Sequence, residues 1–320
     1  MIVRLSPTGR RVAGAILLAI ALHVLGSIVI EGYSSEFTVR SMLVLASLLG
    51  VASIGQTLVV LIGGIDLSTP FVIGFANVVA AQLYGDGMNF VLVCVIVGVL
   101  ALVIGAVNGA LSSTLAIHPL IVTLGVGTAI QGAVLLWTAG FPAGSAPETV
   151  TKFVSIGGHA GPLPVPWLVP SFLVVIAIIS VVLARTPFGR RLYAVGSNPS
   201  AAPYALISPR VVWTVTYALS ALFAAAAGVL LLGFTGSAYG DVGQPYLFQT
   251  IAAVVIGGTT LVGGRGGLIG TAAGALVLIE INTLLIGLGL SPAMVEAALG
   301  VLIVALASLY GREPHVRATI

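Results

Sequence analysis

Charge is what this chain has least of. Only 7% of its 320 residues are charged, where a soluble domain carries about 25%. A surface so poor in charge is not solvated by water, so most of it faces lipid. The pI is near 9.2, but the basic residues are too few and too scattered for a phosphate-tracking patch, which argues against a nucleic-acid partner. Cysteine is nearly absent too. Cys94 stands alone in "NFVLVCVIVGVL", which excludes an intramolecular disulfide and a cysteine-built metal site. Lysine is reduced to Lys152, with no glycine-rich loop before it. The phosphate-binding pattern GxxxxGK[ST] is therefore missing, and the chain is not expected to hydrolyse ATP. His118 by itself makes neither a metal site nor a catalytic dyad. No Ser/His/Asp grouping or paired carboxylates suggest hydrolysis, so no catalytic residue, metal or cofactor is expected.

What is abundant is apolar. Hydrophobic residues make up 58% of the chain, with 41 glycines and a mean hydropathy of +1.19. A bilayer core of about 30 Å needs roughly 20 apolar residues per helix. Ten such runs lie near 12–30, 41–62, 68–84, 89–112, 119–139, 166–184, 211–233, 246–262, 267–287 and 293–310. The first follows Arg4, Arg10 and Arg11 and is longer than the core of a cleaved signal, so it reads as an anchor. The expected fold is all-α and polytopic, a single transmembrane domain over residues 1–320.

Orientation follows from the basic residues. With ten spans and a cytoplasmic N-terminus, Arg4, Arg10, Arg11, Arg185, Arg190, Arg191, Arg210, Arg265, Arg312 and Arg317 fall inside, and only Arg40 and Lys152 fall outside. That is the asymmetry of the positive-inside rule, and it places both ends in the cytoplasm. The largest inner loop is 185–210. The outer segment 140–165, rich in Gly and Pro, reads as a loop.

Two glycine-rich breaks interrupt the apolar runs. "LIGGIDLSTPFVIG" (61–74) offers Asp66 two homes: a short inner turn, where Asp66 or Ser68 caps the next helix, or a helix break lining a polar cavity. The capping role is preferred. "VIGGTTLVGGRGGLIG" (255–270) echoes it as IGGxxL at Ile62–Leu67 and Ile256–Leu261, which hints at an internal duplication. Asn108, Thr123 and Gln131 are polar groups inside apolar spans. Such groups usually bond between helices, worth about 0.6 kcal/mol, and the sharper reading puts them on a solute path. Glu296 lies about a turn from the outer start of its helix, where the dipole favours a carboxylate. Glu280 is deeper, beside Asn282, with no basic residue in any span to pair with it, and should face the interior.

Four segments in order, "GGIDLS", "VNGAL" with "IHPLIVTLG", "TPFGRRLYAVGSNPSAA" and "VIGGTTLVGGRGGLIGTAAGAL", resemble the membrane permease subunit of bacterial ATP-binding-cassette importers of the ribose/xylose/arabinose class. The resemblance runs from about residue 41 to 310. It implies an inner-membrane permease that dimerises with a second copy or a paralogue and rests on cytoplasmic ATPase subunits, which bind the ATP. A periplasmic binding protein would deliver a small polar solute, a monosaccharide by the resemblance, to outer loops near 140–165 and 234–246, with Asp241 and Gln244 as docking candidates. The coupling helix that docks on the ATPase is implied at 196–207, with Gly196, Asn198, Ser200, Ala201 and Ala202, and with Arg190 and Arg191 beside it. Ser200, Pro203 and Leu206 depart from the usual acidic residue, uninterrupted helix and glycine. His118 and "DLSTP" depart from the usual Pro and Asp-Leu-Ser-Val-Gly. Apart from the resemblance, the polarity of single residues within or between apolar spans makes Asp66, Ser68, Asn108, Thr123, Gln131, Glu280 and Asn282 the solute-path candidates. The rivals are a branched-chain amino acid permease of the same architecture and an ion-coupled carrier using Glu280 or Asp66.

Overall fold

The computed structural model describes residues 7–115 and 117–310. Arg4, Arg312 and Arg317, on which the placement of both chain ends partly rests, lie outside the described residues. Within them the chain forms twelve α-helices and no strand. In order these are α1 (Pro7–Val29), α2 (Glu36–Leu61), α3 (Thr69–Gly85), α4 (Phe90–Thr114), α5 (Pro119–Thr138), α6 (Glu148–Val154), α7 (Leu168–Arg185), α8 (Pro187–Ser197), α9 (Pro209–Thr235), α10 (Tyr246–Ile256), α11 (Leu268–Gly287) and α12 (Pro292–Tyr310).

Ten of these helices fall on the ten apolar runs. Seven are long and apolar enough to cross a membrane; α3, α10 and the described apolar part of α12 (Pro292–Leu302) are shorter. The protein is a multi-pass membrane protein. Several starts carry the local chemistry a helix needs. Ser35 accepts from the Thr38 N–H ahead of α2, Asn89 accepts from Val91 ahead of α4, and His118 precedes Pro119 at the first position of α5. Pro is harmless there because that N–H has no partner in the helix.

Helices α2 and α9 form the centre. The wall of α2 is almost wholly buried, against α7, α9, α10 and α11. Helix α9 packs on α2, α3 and α4 at backbone distance. Gly105 and Gly109 of α4 face Tyr217 and Thr214 of α9 so closely that a Cβ on Gly105 would lie 2.2 Å from the Tyr217 carbonyl. This GxxxG spacing is how helices associate in lipid, where apolar burial alone gives no drive. Outside this centre, α1 and α4 expose large apolar side chains such as Leu17, Ile28, Val91 and Val103, as lipid-facing walls should.

Two loops differ from expectation. Segment 140–165, expected as a loop, contains α6, whose Val150 lies against Gly233 of α9. Segment 185–210 holds α8, followed by only a single 3-10 turn at Ala202–Ala205.

Candidate functional site

The break between α2 and α3 is a buried polar knot. Asp66 is 1% exposed. Its Oδ1 accepts from the Ser68 N–H (2.9 Å) and the Ser68 hydroxyl (2.5 Å), and its Oδ2 accepts from the Ser220 hydroxyl (2.8 Å). Asn108 donates to Ser68 Oγ (2.9 Å), Leu67 N–H donates to Thr123 Oγ1 (3.0 Å), and Tyr217 donates to the Ile65 carbonyl (3.2 Å). Thus α4, α5 and α9 each send a polar group to one seven-residue break. The depth follows from helix positions. Ser220 lies about three turns into α9, and Asn108 more than one turn before the end of α4. Asp66 therefore turns the chain into α3, and does so inside the bundle rather than at its surface. Ser68, at the cap position, makes no side-chain bond to α3; its hydroxyl is spent on Asp66.

The second break, residues 257–267, is held by its own backbone. Thr260 N–H donates to the Arg265 carbonyl, Gly263 N–H to the Thr260 carbonyl, and Thr260 Oγ1 to the Gly263 carbonyl, all at 3.0 Å. Gly263 and Gly264 adopt φ of +90° and +70°, which glycine reaches without Cβ strain. The two breaks touch: Gly264 N–H donates to the Leu61 carbonyl at 2.9 Å. The end of α8 rests on both. Tyr193 donates to the Gly266 carbonyl at 3.0 Å, and a Cβ on Gly196 would lie 1.9 Å from the Leu61 carbonyl.

Around this junction the local structure differs from expectation. The resemblance implied a helix at 196–207, whereas α8 ends at Ser197 and only the 3-10 turn at Ala202–Ala205 follows it before α9. Asn198 bends the chain, its Oδ1 accepting the Ala201 N–H at 2.9 Å, and Pro203 brings no N–H to extend the turn. Gly196 and Ala202 are buried, while Arg190, Arg191, Asn198, Ser200 and Ala201 are exposed. Past them Tyr204 and Leu206 stand 92% and 96% exposed, Leu206 at φ +58°.

At the end of α9 far from α8, loop 236–245 runs back along α3. Tyr239 N–H donates to Asn77 Oδ1 at 2.9 Å, and a Cβ on Gly74 would meet the Gly240 carbonyl at 1.9 Å. This brings Asp241 to Gln131, whose carboxamide donates to Asp241 Oδ1 at 2.9 Å. Both line a cavity of about 170 Å³ between α3, α5 and the loop, and Gln244 lines it too. So Gln131, expected on the solute path, and Asp241 and Gln244, expected at an outer docking surface, meet in one place. Asp66, Ser68, Asn108 and Thr123 are elsewhere, in the knot.

Glu280 needs a correction. It does have a basic neighbour: His23 of α1 lies with Nδ1 3.3 Å from Glu280 Oε1. Counting only Lys and Arg in the spans hides such a partner. Tyr33 donates to the Glu280 carbonyl at 3.1 Å, so the pair fastens α1 and the following turn to α11. Asn282, half-buried two residues on, is outside that cluster. Glu296 lines a groove between α10 and α12 with Gln249. Sequence reading also passed over Ser220, Asn77 and Gln56. Gln56 is fully buried in α2 with both carboxamide atoms unpartnered. Each is a polar residue inside an apolar run, the same signal that singled out Asn108.

Residues 38–307 match the family described as the permease component of branched-chain amino acid transport systems. Individual relatives carry other names. A ribose import permease of Haemophilus influenzae is 31% identical over 295 residues, 91% of each chain. A fructose import permease of Rhizobium meliloti is 32% identical over 296 residues, 90% of this chain and 82% of that one. An autoinducer 2 import permease of Shigella flexneri is 31% identical over 272 residues, 85% of this chain and 78% of that one. No solved structure matches.

Proposed function

The chain belongs to this family of membrane permease components, and on that premise we propose that it carries a monosaccharide across the inner membrane of a bacterium as a subunit of an ATP-binding-cassette importer. Its relatives are named for ribose, fructose and autoinducer 2, which supports a sugar over a branched-chain amino acid. In this reading ten helices cross, with both ends cytoplasmic, and two permease chains stand on two ATPase subunits. ATP is bound by those partners, and the chain needs no cofactor of its own. A binding protein delivers solute to the outer face formed by 140–165 and 236–245.

The observation that carries the reading is the inner loop. A segment with Arg185, Arg190, Arg191 and Arg210 carries two large, fully exposed apolar side chains, Tyr204 and Leu206. Exposed apolar groups beside charge mark a protein contact. The same segment is seated through α8 on both helix breaks, so a push on it reaches the bundle. The ion-coupled alternative draws less support, because both oxygens of Asp66 are occupied and Glu280 is joined to His23.

The test is purification from the native membrane under mild detergent. A stoichiometric ATPase should accompany the protein and be lost when Leu206→Asp and Ala201→Arg are combined. A protein that comes out alone, with uptake that survives ATP depletion and stops with an uncoupler, would overturn the proposal.

A further inference from the structure

The outer cavity has the chemistry of a solute subsite. Its wall joins aromatic rings, Phe71 and Phe75 of α3 and Tyr239 of the loop, to a carboxylate, Asp241, and to the Gln131 carboxamide. The space of about 170 Å³ is on the scale of one small ring compound. Gln131 spends an N–H on Asp241, which leaves the remaining oxygens of both groups as acceptors. Two adjacent acceptors suit neighbouring hydroxyls, and ring faces suit the C–H side of a pyranose or furanose. No Lys, Arg or His lines the cavity. A carboxylate or phosphate on the solute would meet Asp241 with nothing to neutralise it.

Depth argues in the same direction. Gln131 lies about two turns below the outer end of α5, and Asp241 at its side is exposed. A carboxylate at that level cannot face hydrocarbon, so the cavity opens to water or to solute. The wall is also fixed in advance. Gly74 and Gly243 let loop and α3 approach at backbone distance, and a Cβ on Gly243 would lie 2.0 Å from the Pro70 carbonyl. Pro70 comes only four positions after Asp66, so the cavity wall begins where the buried knot ends.

We infer that the cavity between α3, α5 and loop 236–245 is a binding subsite for a neutral monosaccharide within the permease chain, with Asp241 and Gln131 as hydroxyl acceptors. This rests on the permease reading and goes beyond it by placing part of the solute selectivity in the membrane subunit.

The experiment uses the full chain with its co-purified ATPase in lipid nanodiscs, without binding protein, and reads saturation-transfer NMR from D-ribose, D-fructose, L-leucine and ribose 5-phosphate. At least one of the two neutral sugars should bind saturably, and leucine and the sugar phosphate should not. Asp241→Asn and Gln131→Ala should each weaken the sugar about tenfold, the scale of one hydrogen bond to a charged group. Glu148→Gln, on α6 outside the cavity, should leave it unchanged. A second reading leaves both acceptors in place. In a Cys94→Ala background, Thr138→Cys, on the cavity wall, should react with a membrane-impermeant sulfonate thiol reagent from outside, and the bound sugar should slow the reaction. Neither sugar binding, leucine or ribose 5-phosphate binding equally well, or sugar binding indifferent to both substitutions would each overturn the subsite. ATPase retention in the same preparation is scored separately, so loss of the subsite and loss of the permease reading give different patterns.

Discussion

The two helix breaks share a motif and solve opposite problems. At residues 62–68 the backbone is interrupted deep among helices, and side chains from α4, α5 and α9 supply what it lacks. At 257–267 the interruption lies beside α8, and the loop bonds mainly to itself through glycines and Thr260. The first break is therefore as strong as its distant partners, while the second is as strong as its own turn. A structure that must transmit motion gains from such a division. The first break holds α3 in register with α9, and the second is fastened to α8 through Tyr193 and Gly264.

Substitutions can break this contrast, and their sizes should follow it. Asp66→Ala should have the largest effect. It strands the Ser68 N–H and the hydroxyls of Ser68 and Ser220 in a dry site, which costs about 3 kcal/mol or more. Thermal unfolding in detergent should register this, and uptake should be lost. Gly196→Val comes next. Its side chain would press on the Leu61 carbonyl where the breaks meet, and overpacking of this kind costs about 1–3 kcal/mol. The informative readout is ATP hydrolysed per solute moved, which should rise even where the complex still assembles. Thr260→Ala removes hydrogen bonds within the second break only and should cost about 1 kcal/mol. If Thr260→Ala proved as damaging as Asp66→Ala, the two breaks would not differ as argued. Smallest is Glu148→Gln on exposed α6. Lys152 beside it, at 2.7 Å, holds the Glu148 carboxyl below the usual carboxylate range, but the pair is in water. No measurable change in unfolding temperature is expected.

Much of the fold was legible because lipid imposes a simple rule. Every apolar run long enough to notice became a helix, and glycine pairs marked both breaks. The helix of segment 185–210 was not legible: the resemblance pointed to 196–207, whereas α8 spans Pro187–Ser197, with Leu192 and Val195 buried and Arg190 and Arg191 exposed. What stayed hidden were pairings across long stretches of chain. Ser220 with Asp66, His23 with Glu280 and Gln131 with Asp241 are separated by 154, 257 and 110 residues. Local spacing carries no record of such partners. It could flag each residue as polar among apolar neighbours, but not say which two would meet.

The bared tip of the inner loop has a consequence for the life of the protein in the cell. Under the proposed docking, Tyr204 and Leu206 are covered only once the ATPase is seated on them, so a copy made in excess of its ATPase would display an apolar tag in the cytoplasm. Chaperones and membrane proteases read such tags. That docking predicts an abundance set by assembly rather than by synthesis: a strain lacking the ATPase should clear the orphan chain quickly while retaining its messenger RNA.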